Sequence, residues 1–320
     1  MNLVVLDGYT LNPGDLSWDK LQELATCVIY DRTAPGEIID RCREADIVLL
    51  NKVPFSAGTI AALPQLKFIN VMATGFNIVD IDAAAKRKIP VANVPAYSTN
   101  SVAQLVFAHI LNFTHRVAHH AHNTAYGRWS ANKDFSYWDY PLIELAGQTL
   151  GILGFGKIGR TVATIASAFG MNIIYYDITG PQEDLPGIRR VYTLEELFQQ
   201  SDILSLHCPL TKDTEKIVNK EHLHLMKKTA LLINTSRGQL IDEDALAEAL
   251  MSGRIAGVGL DVLCQEPPAF ENMLLSARNC YITPHFAWAT TAARQRLMDA
   301  ITGNVRAFLA GKPQNVVNSW

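Results

Sequence analysis

The sequence predicts an α/β protein built on two doubly wound parallel sheets. Three observations predict it. Short apolar runs alternate with amphipathic stretches almost from end to end. Those runs lack the in-out alternation of a half-exposed strand, as expected when helices cover both faces. A glycine loop at 154–159 sits mid-chain, so a complete first unit precedes it.

In order, strands are expected at 2–6, 27–30, 46–50, 67–72 and 90–92, with helices at 16–25, 35–44, 56–63 and 80–87 between them. A long helix is expected over 99–122. Residues 123–148 are rich in aromatics and weakly periodic. The second series has strands at 149–153, 172–176, 202–206, 230–234, 256–260 and 280–282, then a helix over 290–310. That helix follows the completed second sheet, so it is expected to return to the first. A discontinuous domain of 1–98 plus 288–320 then flanks one of 99–287.

A chain of 320 residues fits two domains. Its 48% hydrophobic and 18% charged residues allow a large core and exclude global disorder. A net charge of -3 gives no basic footprint for nucleic acid. Five cysteines, none in a C-x-x-C pair, argue against a disulfide framework and a cysteine zinc site. With no signal-peptide pattern and no apolar run of about 18 residues, a soluble cytoplasmic protein is expected.

Gly154-Phe155-Gly156-Lys157-Ile158-Gly159 follows a strand pattern and opens a helix pattern. Such a loop turns tightly, brings backbone close to a pyrophosphate and offers the anion a helix N-terminus. The next strand ends in Asp177, 18 residues beyond Gly159. A carboxylate there accepts hydrogen bonds from the adenine ribose and repels a 2′-phosphate. Ile178 and Thr179 bring no cation, so NAD is favoured over NADP.

Hydride transfer to a keto acid needs a cation for the carboxylate and carbonyl, an acid for the developing alkoxide, and a group that keeps that acid charged. Arg237 follows the strand ending at Asn234, and its planar fork suits a carboxylate. His285 follows the strand near 280–282. Glu266 lies in the turn after the strand that ends at Asp261. A carboxylate in reach of the imidazole stabilises the imidazolium.

The order of Gly154-x-Gly156-x-x-Gly159, Asp177, Asn234-Thr235-Ser236-Arg237-Gly238, Gly259-Leu260-Asp261-Val262, Glu266-Pro267 and Pro284-His285 resembles the D-isomer-specific 2-hydroxyacid dehydrogenases over nearly the whole chain. The resemblance implies flavodoxin-like and Rossmann domains, a cleft between them and a homodimer. It implies Arg237 on the substrate carboxylate and carbonyl, His285 as acid/base and Glu266 as its partner. It places Thr99, Thr235 and Asp261 on the nicotinamide side, with Ser236 in the same loop. His207-Cys208-Pro209 would pass the adenosine, with Cys208 a contact and not a nucleophile. Ala73-Thr74-Gly75 would hold the substrate carboxylate through backbone N–H groups. Within the family, His285-Phe286-Ala287-Trp288-Ala289, Val4-Val5-Leu6-Asp7-Gly8 and Asn51-Lys52 are most similar to glycerate dehydrogenases, or hydroxypyruvate reductases. Trp288 is accordingly a candidate substrate contact.

Two further features compete for a role. His115, His119 and His122 share one face of a continuous helix, a spacing that could bind zinc, but no companion ligands support a metal site. The aromatics of 123–148 are expected at a dimer interface. The rival functional readings are a non-catalytic NAD-sensing corepressor and a dehydrogenase for formate, phosphite or a phosphorylated acid.

Overall fold

The computed structural model describes residues 1–178 and 186–320. Thr179, invoked above for its lack of charge, lies outside the described residues. The chain divides into two compact units, Met1–Ser98 with Ala289–Trp320, and Thr99–Trp288.

In the first unit five parallel strands form a sheet: β1 (Asn2–Val5), β2 (Thr26–Ile29), β3 (Ile47–Leu50), β4 (Phe68–Val71) and β5 (Val91–Ala92), in the order β2-β1-β3-β4-β5. Short helices connect them: α1 (Asp19–Gln22), α2 (Ile38–Cys42), α3 (Ala57–Ala61) and α4 (Ile81–Lys86). Every residue of β3 and β4 is buried, and all of them but Asn70 are apolar.

The second unit opens with α5 (Thr99–His115) and α6 (Val117–Ala125). The single helix expected over 99–122 is therefore two. Arg116 breaks it with a left-handed φ of 47°. Its guanidinium lies 3.8 Å from the centre of the Tyr140 ring and donates to Asn279 Oδ1 at 3.2 Å.

Seven parallel strands follow: β6 (Thr149–Leu153), β7 (Asn172–Tyr176), β8 (Ile188–Arg190), β9 (Ile203–Leu206), β10 (Leu231–Asn234), β11 (Gly257–Leu260) and β12 (Cys280–Ile282). Their order is β12-β11-β10-β9-β6-β7-β8. The intervening helices are α7 (Lys157–Ala168), α8 (Leu194–Gln200), α9 (Lys220–Leu225) and α10 (Glu243–Met251). Strand β8 went unforeseen because Ile188-Arg189-Arg190 is a short, charged edge strand with no apolar run. Neighbouring residues divide between two cores: Leu204 and Leu232 face one, Ile203 and Leu231 the other. The sheet is buried on both sides.

The last helix, α11 (Thr291–Leu309), belongs to the first unit. Phe308 stacks on Phe68 with centroids 4.5 Å apart. Asn304, fully buried, donates to Asn70 Oδ1 at 2.7 Å and to the Asn93 carbonyl at 3.0 Å. The chain passes between units at 98/99 and 288/289. The Trp288 indole stays with the second unit and donates to the His285 carbonyl at 2.9 Å.

Candidate active site

The second sheet reverses its winding between β6 and β9, and the crevice outside their carboxyl ends is where ligands of such sheets bind. Gly154 follows β6 with φ +93°, and a Cβ there would lie 2.4 Å from the Cys208 nitrogen. No other residue lets the His207-Cys208 segment pass this close, and His207 N–H donates to the Leu153 carbonyl at 2.7 Å. The space a Cβ would occupy at Gly156 is open, leaving backbone accessible at the start of α7, where Lys157 and Ile158 form the first turn. Phe155 is buried and stacks on Tyr175 at 4.1 Å.

Asp177 follows β7. Its Oδ2 accepts the Phe155 N–H at 2.5 Å, tying the strand end to the glycine loop. The structure adds a cation that local sequence did not reveal: Arg190 Nη2 donates to the Asp177 carbonyl at 3.2 Å. Thr235 Oγ1 is buried and has no partner among the described residues. An open glycine cradle, a helix N-terminus, a carboxylate after β7 and an unsatisfied hydroxyl after β10 together fit a bound dinucleotide.

The His207-Cys208-Pro209 loop carries no reactive group. Desolvation pushes the Cys208 thiol up to about 11, and the Cys208 carbonyl accepts from Ser236 Oγ at 2.9 Å. His207 Nε2 lies 2.8 Å from Ser205 Oγ, and desolvation pushes its pKa down to about 3, so the ring is neutral near pH 7.

The acid/base candidates meet at the ends of β11 and β12. His285 Nδ1 lies 2.6 Å from Glu266 Oε2, with both side chains about one-third exposed. Glu266 Oε1 accepts the Leu263 N–H at 3.1 Å, which closes the turn that holds it. His285 has a φ of 50°, a conformation that costs a residue with a Cβ about 1–3 kcal/mol. Its N–H donates to the carbonyls of Asp261 and Thr283, both at 2.9 Å.

Asp261 holds that strained turn from inside. Its carboxylate accepts from Phe286 N–H at 3.0 Å, Ala287 N–H at 2.8 Å and Thr283 Oγ1 at 2.6 Å. Burial pushes its pKa up, against those three bonds. The resemblance implies Asp261 on the nicotinamide side; its partners in the structure also brace the turn that carries His285.

Arg237 stands exposed after β10, with Nη1 on the Ser236 carbonyl at 2.7 Å. Asn234 Nδ2 holds the Arg237 carbonyl at 2.8 Å. Thr99 begins α5. In the first unit, Ala73-Thr74-Gly75 follows β4. The Ala73 carbonyl accepts the Val94 N–H at 2.9 Å, and Thr74 Oγ1 donates to the Val94 carbonyl at 2.8 Å.

The three helical histidines do not converge. His115 bonds Thr114 Oγ1 at 2.9 Å, His119 pairs with Asp139 at 2.7 Å, and His122 packs on Tyr126 at 4.5 Å. No helix among the described residues is long and apolar enough to cross a membrane.

Residues 107–287 match the family model for the NAD-binding domain of D-isomer specific 2-hydroxyacid dehydrogenases. The chain belongs to the D-isomer specific 2-hydroxyacid dehydrogenase family. It is 47% identical over 322 residues to a hydroxypyruvate reductase of Blautia hydrogenotrophica, covering 99% of this chain and all of the relative. It is 43% identical over 293 residues to a glycerate dehydrogenase of Methylorubrum extorquens, covering 91% of each. The solved D-lactate dehydrogenase of Aquifex aeolicus, complexed with NAD and lactic acid, superposes with a TM-score of 0.83 at 30% identity, covering 97% of this chain and 96% of that one. The protein is thus an enzyme of this family, with an NAD-binding domain in its second unit.

Proposed function

We propose that the enzyme interconverts a small 2-keto acid and its 2-hydroxy acid with NAD(H), with hydroxypyruvate and D-glycerate as the preferred pair. The observation that carries this reading is the 2.6 Å His285–Glu266 contact beyond the same sheet edge as the dinucleotide loop. The names of the relatives support hydroxypyruvate as first choice and glyoxylate as second.

A bound reduced nicotinamide supplies the hydride. Arg237 binds the substrate carboxylate and polarises the carbonyl. His285 Nε2 would give its proton to the carbonyl oxygen as the carbonyl carbon is reduced. The products are a 2-hydroxy acid and the oxidised cofactor. Glu266 stabilises the imidazolium before transfer and orients Nε2 towards the oxygen. Trp288 completes the substrate pocket.

Asp177 selects NADH over NADPH by repelling a 2′-phosphate, even with Arg190 nearby. The exposed Tyr126, Trp129, Phe135 and Trp138 form a contact surface for a second copy, making a homodimer. The test is NADH oxidation with hydroxypyruvate, glyoxylate, pyruvate and 3-phosphohydroxypyruvate. Hydroxypyruvate should give the highest kcat/KM. No oxidation with any of them rules the reading out and favours the corepressor-like alternative.

A further inference from the structure

Glu266 sits in an exposed turn, yet its task requires placement to a fraction of an ångström. What holds that turn lies outside the family motifs quoted above. Glu243, the first residue of α10, reaches across to both ends of the segment. Its Oε1 accepts the Cys264 N–H at 2.6 Å, and its Oε2 accepts from Asn272 Nδ2 at 2.9 Å. Asn272 in turn caps the next turn, its Oδ1 accepting the Leu274 N–H at 3.0 Å. One carboxylate therefore spans residues 264–272, with Glu266 between its two contacts.

Two neighbours complete the lacing. Gln239 Nε2 donates to the Cys264 carbonyl at 3.0 Å. At Gly238 a Cβ would fall 2.0 Å from the Leu263 carbonyl carbon, so backbone packs on backbone there. The segment that begins with Arg237 is thus fixed to the segment that carries Glu266.

We propose that Glu243 is a positioning residue, holding Glu266 in register with His285 and Arg237. This rests on the reading of Glu266 and His285 as the acid pair. Chemistry supports a carboxylate at 243: two donors, an N–H and an amide NH2, face it, and a carboxylate offers an acceptor to each. The α10 N-terminus also favours negative charge. A neutral glutamine presents one oxygen and one NH2, so one of the two contacts becomes donor against donor. The charged groups around Glu243 are the Lys216–Asp242 ion pair and Asp244, together with the thiols of Cys264 and Cys280. Those around His285 are Glu266 and Asp261.

The experiment compares the full-length parent, Glu243→Gln and the double variant E243Q/N272D. In the double variant the new glutamine oxygen accepts the Cys264 N–H while its NH2 donates to the new aspartate, which still caps Leu274. Hydrogen exchange of residues 263–272 and the pH profile of hydroxypyruvate kcat/KM are both measured. Glu243→Gln should exchange that segment at least about tenfold faster. It should lose at least about tenfold in kcat/KM, mainly through kcat, and move the alkaline limb to lower pH. The double variant should recover all three. A parent-like exchange rate and pH profile in Glu243→Gln would overturn the proposal, as would a double variant no better than the single one. If Glu243→Gln does not fold, a folded double variant with the parent's profile supports the pairing and one with a displaced limb overturns it. A parent that oxidises no NADH sinks the functional reading instead, and the exchange rates still decide whether Glu243 holds the turn.

Discussion

At the scale of single residues, the site is two carboxylates doing different work on one histidine. Glu266 touches the imidazole, while the Asp261 carboxylate accepts from the backbone N–H groups and the hydroxyl that shape the histidine's turn. Replacing Glu266 with Gln keeps a hydrogen-bond acceptor but removes the charge that stabilises the imidazolium. The alkaline limb of kcat/KM for keto-acid reduction should then move to lower pH, read from initial rates across the neutral and alkaline range. An unmoved limb contradicts the pairing. Arg237→Ala should raise KM and lower kcat together, since the guanidinium serves both carboxylate and carbonyl. Arg237, Glu266 and His285 stand out as candidates in the sequence because each lies beyond an apolar strand of the second series. The bracing role of Asp261 does not, because hydrogen bonds to main chain across 25 residues leave no local pattern.

Elements were legible in proportion to how deeply they are buried. Strands β3, β4, β9, β10 and β11 are buried throughout and read as apolar runs. The edge strand β8 and the break at Arg116 gave no signal, since one is charged and the other interrupts an otherwise helical pattern. The helix before that break has its own titration. His109 on α5 is buried, and desolvation pushes its pKa down to about 4. Its ring lies where a Cβ at Gly259 would be 2.8 Å away, so the neutral imidazole is packed directly on β11. The unfolded chain binds this proton near pH 6.5 and the folded one does not, so the stabilisation is complete above pH 6.5 and lost as pH falls towards 4. The loss is at most about 3 kcal/mol. Melting temperature measured across pH 4–7 should fall with acid, and less steeply in His109→Gln; parallel curves would contradict this assignment.

At the scale of the whole molecule, the mid-chain glycine loop foretold a complete unit before it and a returning last helix. The chain divides into Met1–Ser98 with Ala289–Trp320, and Thr99–Trp288. The aromatic arm is the least explained part of a single chain, with Phe135 90% and Tyr126 80% exposed. The proposed second copy would cover it. Light scattering at micromolar concentration should give about twice the 35.3 kDa chain mass, and a monomer would contradict the proposed dimer.

His285 is proposed to deliver the proton in an NADH-linked reduction of hydroxypyruvate. Steady-state NADH oxidation by the parent and His285→Ala, with NADH binding followed by fluorescence in both, tests it most directly. The expected result is turnover by the parent, a loss of about 10²–10⁴-fold in kcat for His285→Ala, and unchanged NADH affinity. A His285→Ala enzyme that turns over hydroxypyruvate at the parent's rate would contradict it.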